Sequence, residues 1–201
     1  MVVLPCQSHL SEQCASRTAK RPFAFFRELM SKARAGRCLG TGIACMGKAD
    51  YKGAINHFNK ALAHDPEYAP AYINRGICHS MQESFDCAVS DFKSAIALGP
   101  DRKNAHFNLA ATYYRAGEFD IERRSQMYGR SIAEYERTLA LDQADAGARI
   151  NMGNVHGLMK DYEKAIGCYN AALEIDPSNK TAARARDAVI LHIGRNGSSS
   201  I

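Results

Sequence analysis

Small and aromatic residues return along this chain at a fixed interval, separated by polar stretches. Ala54, Phe58, Ala61 and Pro66 recur 34 residues later as Ala88, Phe92, Ala95 and Pro100, while Gly42 recurs as Gly76 and Tyr51 as Phe85. The series comes back as Gly153, Tyr162, Ala165, Tyr169, Ala172 and Pro177. A degraded copy lies between: Ala110, Tyr113, Phe119, Ser131, Tyr135 and Thr138, with Gln143 in the place of the proline. Such periodicity predicts four units, at 35–68, 69–102, 103–145 and 146–179, each built as two antiparallel helices around a tight turn such as Met46–Asp50 or Met159–Asp161. Gly42, Ala54 and Ala61 let the two helices approach, and the aromatic residues fill the space between neighbours. Pro66, Pro100 and Pro177 stop the second helices, with Asp65, Asp101 and Asp176 beside them as turn formers. No unit buries its apolar face alone, so the array is stable only as a stack.

The flanks follow other patterns. Residues 1–22 read as a basic, disordered extension. Pro22 is expected to open a helix over 23–34, with Phe23, Phe26 and Met30 on one face, packed on unit one as an N-terminal cap. Residues 180–193 read as an amphipathic capping helix ended by Gly194, and 194–201 as a flexible tail. Unit three carries nine extra residues between Phe119 and Ser131. They either lengthen its second helix or protrude as a loop, and Ser131-Ile-Ala-Glu134 matches a capping box that favours a fresh helix start there. This stretch reads as a tolerated surface insertion, or alternatively as a partner-specific contact.

The period and its small, aromatic and proline positions resemble the tetratricopeptide-repeat (TPR) family over about 145 residues. The departures are that no unit contains Trp and that unit three lacks its proline. The resemblance implies an all-α, right-handed solenoid that holds other proteins and catalyses nothing. It also implies a concave groove lined by the first helix of each unit. Transferred place by place, that groove would hold Leu39 and Ile43 from unit one, and Ile73, Asn74 and Ile77 from unit two. Unit three would add Phe107, Asn108 and Tyr114, and unit four Ile150, Asn151 and Asn154.

Asn74, Asn108 and Asn151 share the sixth place of their units. This resembles the asparagine ladder in the TPR domain of nucleocytoplasmic O-linked N-acetylglucosamine transferase. Amides in a row can bond the backbone of an extended ligand whatever its sequence, or can bond within their own helices instead. The apolar row Leu39, Ile43, Ile73, Ile77, Phe107, Tyr114 and Ile150 suits an amphipathic helix. The carboxylate clamp of chaperone-binding relatives is not reproduced: Leu39 and Ile43 stand at its first places, and Asn104 and Asn108 at its last. An acidic chaperone C-terminus is therefore a disfavoured partner.

Charge and composition narrow the function. The 201 residues carry a net charge of +5, but residues 1–34 hold +4 of it and residues 180–201 +3, which leaves the array at −2. That sign argues against a phosphate backbone as partner, so helical-repeat RNA binding is a minor alternative. Seven cysteines, with no C-x-x-C pair, and histidines without metal-ligand spacing predict neither a disulfide framework nor a metal, and no cofactor is expected. No nucleophile–base set or phosphate loop is apparent, which favours a scaffold or adaptor over an enzyme. The other alternative is the substrate-recognition half of an enzyme such as a glycosyltransferase. No membrane span is expected, and the expected location is cytoplasmic, or mitochondrial given the basic N-terminus. Asn196-Gly-Ser198 is formally a glycosylation sequon, and Ser199-Ser-Ile201 formally fits a carboxylate-capture ligand.

Overall fold

A computed structural model describes residues 10–99 and 102–197. Among them are nine helices and no strand: α1 (Leu10–Met46), α2 (Tyr51–His64), α3 (Ala69–Met81), α4 (Phe85–Ala97), α5 (Lys103–Phe119), α6 (Arg124–Leu141), α7 (Ala146–Leu158), α8 (Tyr162–Ile175) and α9 (Lys180–Gly197). Each helix packs on the next, as the repeat predicts. No helix among the described residues is long and apolar enough to cross a membrane.

The seam within each unit is a small residue set against an aromatic ring. A side chain added at Gly42 would meet the Phe58 ring, at Gly76 the Phe92 ring and at Gly153 the Tyr169 ring. In unit three the same place is Ala110, in one buried cluster with Tyr135. Seven residues further along α5, and seven earlier on α6, Gly117 stands against Tyr128. The insertion therefore adds one more rung to the seam. It lengthens both helices, α5 to 17 residues and α6 to 18, where α3 and α4 have 13 each. A fresh start at Ser131 is not what forms. α6 already begins at Arg124, and Ser131 is fully buried with its hydroxyl donating to the Ala110 carbonyl at 2.8 Å.

The turns inside units share one device. Ala49, Glu83 and Lys160 occupy the same place in units one, two and four and all adopt positive φ, near 60°. This left-handed residue reverses the chain between antiparallel helices, a conformation glycine would adopt without strain. Unit three lacks the proline, and Lys103 ties its end instead, bonding Asp142 at 2.8 Å and Asp145 at 3.0 Å. Arg75 holds unit two through a two-pronged bond to Asp91 (2.9 and 2.6 Å) and a third to Asn59.

Both flanks depart from the sequence reading. Residues 10–22, expected to be disordered, belong to α1, and no separate capping helix starts at Pro22. The predicted cap and the first helix of unit one form one 37-residue helix, roughly 55 Å long. Residues 23–33 therefore do not fold back over the groove. Gly194 does not end α9, which runs on to Gly197. The remainder of both termini lies outside the described residues, as does the expected stop at Pro100.

Candidate partner-binding groove

The first helices α1, α3, α5 and α7 touch one another across units, whereas among the described residues α2, α4, α6 and α8 do not. The closer spacing on one side bends the array, so the first helices line its inner face. The sequence-derived site residues lie on these helices, in unequal roles.

Asn74 and Asn108 are half-buried, and each donates an amide hydrogen to the carbonyl four residues back: Asn74 to Pro70 at 2.8 Å, Asn108 to Asn104 at 2.7 Å. The bond fixes the amide plane and leaves the side-chain carbonyl and a second N–H for another group. Asn151 instead lies near the Tyr135 hydroxyl of the preceding unit. Asn154 accepts from the Tyr169 hydroxyl at 2.8 Å. The ladder is thus two rungs held within their helices, with the third set toward the preceding unit.

The apolar row is also broken. Ile150 is only 8% exposed, within the cluster of Ala165, Tyr169, Ala172 and Ala182, so it belongs to the core and not to the groove. Leu39, Ile73 and Ile77 are half-buried, each with one flank on a core cluster. Phe107 sits edge-on to Tyr135 with ring centres 5.6 Å apart. Tyr114 stacks on Tyr128 at 6.1 Å, and its hydroxyl donates to Glu118 at 3.2 Å. Burial, helped by the Glu118 carboxylate, pushes the Tyr114 phenol up to about 12, so it remains a neutral donor. Ile43 is 47% exposed and stands at the open end.

At mid-groove, α3 and α5 enclose a hollow of about 190 Å³ lined by Ile77, Ser80, Met81, Asn108, Thr112 and Arg115, with Phe92 behind. Arg115 donates to the Ser80 carbonyl at 2.7 Å and lies over the Phe85 ring at 5.7 Å. Thr112 donates to the Asn108 carbonyl at 2.8 Å. The hollow combines an apolar floor, a fixed amide and a guanidinium held by Ser80, which suits a peptide with an aliphatic side chain and an exposed backbone carbonyl. Neither Arg115 nor Thr112 stood out in the sequence, because Ser80, which Arg115 bonds and Thr112 faces at 3.3 Å, lies more than 30 residues away in the chain.

A second hollow, about 530 Å³, opens where the insertion leaves the array, lined by Glu83, Phe85, Asp86, Phe119, Asp120, Ile121, Arg123 and Met127. Phe119 packs against Phe85 with ring centres 5.4 Å apart. No group of His, Cys, Asp and Glu among the described residues could hold a metal ion.

Comparison with known proteins agrees with this architecture. The tetratricopeptide-repeat family model matches residues 146–179. Anaphase-promoting complex subunit 3 of Schizosaccharomyces pombe is 23% identical over 145 residues, 71% of this chain but 20% of its own length. The Hsp70-Hsp90 organizing protein of Triticum aestivum is 26% identical over 176 residues, 74% of this chain and 29% of its own length. This chain thus spans under a third of either relative. Among solved structures, a thermophilic TPR protein of Thermus thermophilus superposes with a TM-score of 0.67 at 18% identity, covering 80% of this chain and 84% of that one. The first TPR domain of Spaghetti (RPAP3), bound to the HSP90 peptide SRMEEVD, gives 0.57 at 20% identity, covering 64% and 98%. Residues 146–179 thus match the tetratricopeptide-repeat family, and the rest of the array shares the helix-pair solenoid fold of the solved TPR proteins.

Proposed function

We propose that this chain is a non-catalytic interaction module that seats a partner peptide or amphipathic helix in the groove, centred on Asn108 and Arg115. The observation that carries the reading is the mid-groove hollow, where an oriented amide and a fixed guanidinium flank apolar side chains. Relatives and neighbours support the class: an Hsp70-Hsp90 organizing protein is similar in sequence, and a TPR domain bound to an HSP90 peptide is similar in fold. The chemistry here differs from a site for an acidic C-terminus. Leu39 and Ile43 on α1 provide no cation, Asn104 and Asn108 stand where lysine and arginine would be, and Arg115 is already engaged by Ser80. The partner is accordingly read mainly through apolar contacts and backbone bonds.

The test starts from a random peptide library displayed on phage and selected on the full chain. A selected peptide is then measured by fluorescence anisotropy. Asn108→Ala should weaken it about 5- to 15-fold, on the scale of one or two hydrogen bonds, with little change in melting temperature. Arg123→Glu with Arg124→Glu should leave binding within about twofold. The reverse pattern would move the site to the insertion hollow.

A further inference from the structure

The N-terminal part of α1 projects past the array with an apolar face that none of the other described residues covers. The Ser31 hydroxyl donates to the His64 carbonyl at 2.7 Å, which marks the level at which α2 ends. Residues 10–27 extend beyond that end, a projection of roughly 27 Å at 1.5 Å per residue. Phe25 is 70% exposed, Phe26 60%, Leu29 53% and Met30 38%. Their spacing places them on one side of the helix, opposite Ala35, which is fully buried against the array. Arg27, Lys32 and Arg34 are exposed on the flanks of the stripe, with Lys32 paired to Glu28 at 2.8 Å.

We infer that this projecting helix is a membrane-surface anchor, lying flat on an anionic lipid bilayer with Phe25, Phe26, Leu29 and Met30 in the acyl boundary. Charge decides between occupants. Residues 1–34 carry +4, so pairing two copies along this face would bring like charges together, whereas an anionic headgroup layer attracts them. Cations flanking a stripe of bulky Phe and Leu side chains are the pattern of an interfacial helix, and the long arginine and lysine stems reach past the apolar stripe to the headgroups. The groove lies on the array beyond this helix, so an anchored molecule could still hold a peptide, and the inference goes beyond the proposed function.

The experiment uses the full chain and vesicle co-flotation. Vesicles of phosphatidylcholine with about one-third phosphatidylserine should carry the protein up, and pure phosphatidylcholine vesicles should carry roughly tenfold less. Phe26→Ser with Leu29→Ser should lower flotation on the anionic vesicles by about tenfold or more. Arg27→Gln with Arg34→Gln, which halves the +4 of residues 1–34, should weaken it and reduce its salt dependence. Both pairs replace exposed side chains, so circular dichroism and melting temperature should match the wild type. Equal flotation of wild type and the Phe26/Leu29 variant overturns the proposal, as does no flotation on anionic vesicles at low salt. A concentration-dependent dimer in sedimentation that the same variant abolishes, without vesicle binding, would give the face to a second copy. Capture of polyglutamate but not vesicles would give it to an acidic protein.

Discussion

Adding a single methyl group at a seam glycine should separate packing from helix propensity. In Gly76→Ala the new Cβ would lie 2.9 Å from both Cε1 and Cζ of Phe92, well inside ordinary van der Waals contact. Phe92 is fully buried, packed with Ala88, Leu109 and Tyr113, so its ring can shift only at the expense of those contacts. Overpacking of this kind costs about 1–3 kcal/mol. Alanine recovers about 0.5–1 kcal/mol of helix propensity over glycine, leaving a net loss of about 1–2 kcal/mol. For a chain of this size each kcal/mol moves the melting temperature by about 2–4 °C, so a fall of roughly 2–8 °C is expected. Gly167, exposed on α8 with nothing within 4 Å of an added Cβ, is the control. Gly167→Ala gains the propensity term alone and should melt about 1–4 °C higher. Differential scanning calorimetry on the pair decides. If Gly76→Ala melts at or above the wild type, the seam is not closed by glycine against the aromatic ring, and the packing argument is wrong for every unit.

Other consequences follow from burial. Cys78 is fully buried and its thiol is pushed up to about 11 by desolvation, whereas Cys87 is exposed. A thiol reagent at pH 8, followed by peptide mass spectrometry, should label Cys87 first and Cys78 only on unfolding. Equal labelling would contradict the packing of α3. Burial also holds the His79 and His156 imidazoles below their usual pKa, against the partial support of Asp91 and Asp161. The folded state therefore favours the neutral rings. Their contribution is complete above the unfolded-state value near 6.5 and is lost as pH falls through the lowered folded values. Melting temperature should decline below about pH 6.5, and less steeply in His79→Gln.

What was legible in the sequence is what repeats. Gly76 and Phe92 announce their contact because Gly42 and Phe58, and Gly153 and Tyr169, stand at the same offsets. Properties that occur once were harder to read. Pro22 signalled a helix start because proline cannot accept its place in the hydrogen-bond ladder, yet α1 runs through it, with good helix formers such as Ala15, Arg17, Ala19 and Lys20 ahead of it. Ser131 and Glu134 have the spacing of a capping box, but the same spacing serves two buried residues. Ser131 bonds Ala110 across the seam, and Glu134 takes His106 at 2.7 Å and Arg137 at 2.5 Å. Sequence alone does not separate a cap from a seam, because both want a small hydroxyl. Within the groove, Ile150 shows the limit of transferred places: a residue on the right helix face turned into the core because α9 closes over unit four. Asn151 also departs from its two counterparts, lying near the Tyr135 hydroxyl of the preceding unit without their bond to the carbonyl four residues back.

Where the partner sits is the central question, and site-specific photo-crosslinking answers it most directly. A diazirine side chain at Ala111, on the lining of the mid-groove hollow, is compared with one at Lys93, exposed on the second helix of unit two. Each is irradiated with the phage-selected peptide and read by mass spectrometry. The groove account predicts crosslinks from position 111, suppressed by excess unlabelled peptide, and none from position 93. Crosslinks from position 93 with none from position 111 would contradict it and place recognition on the outer face.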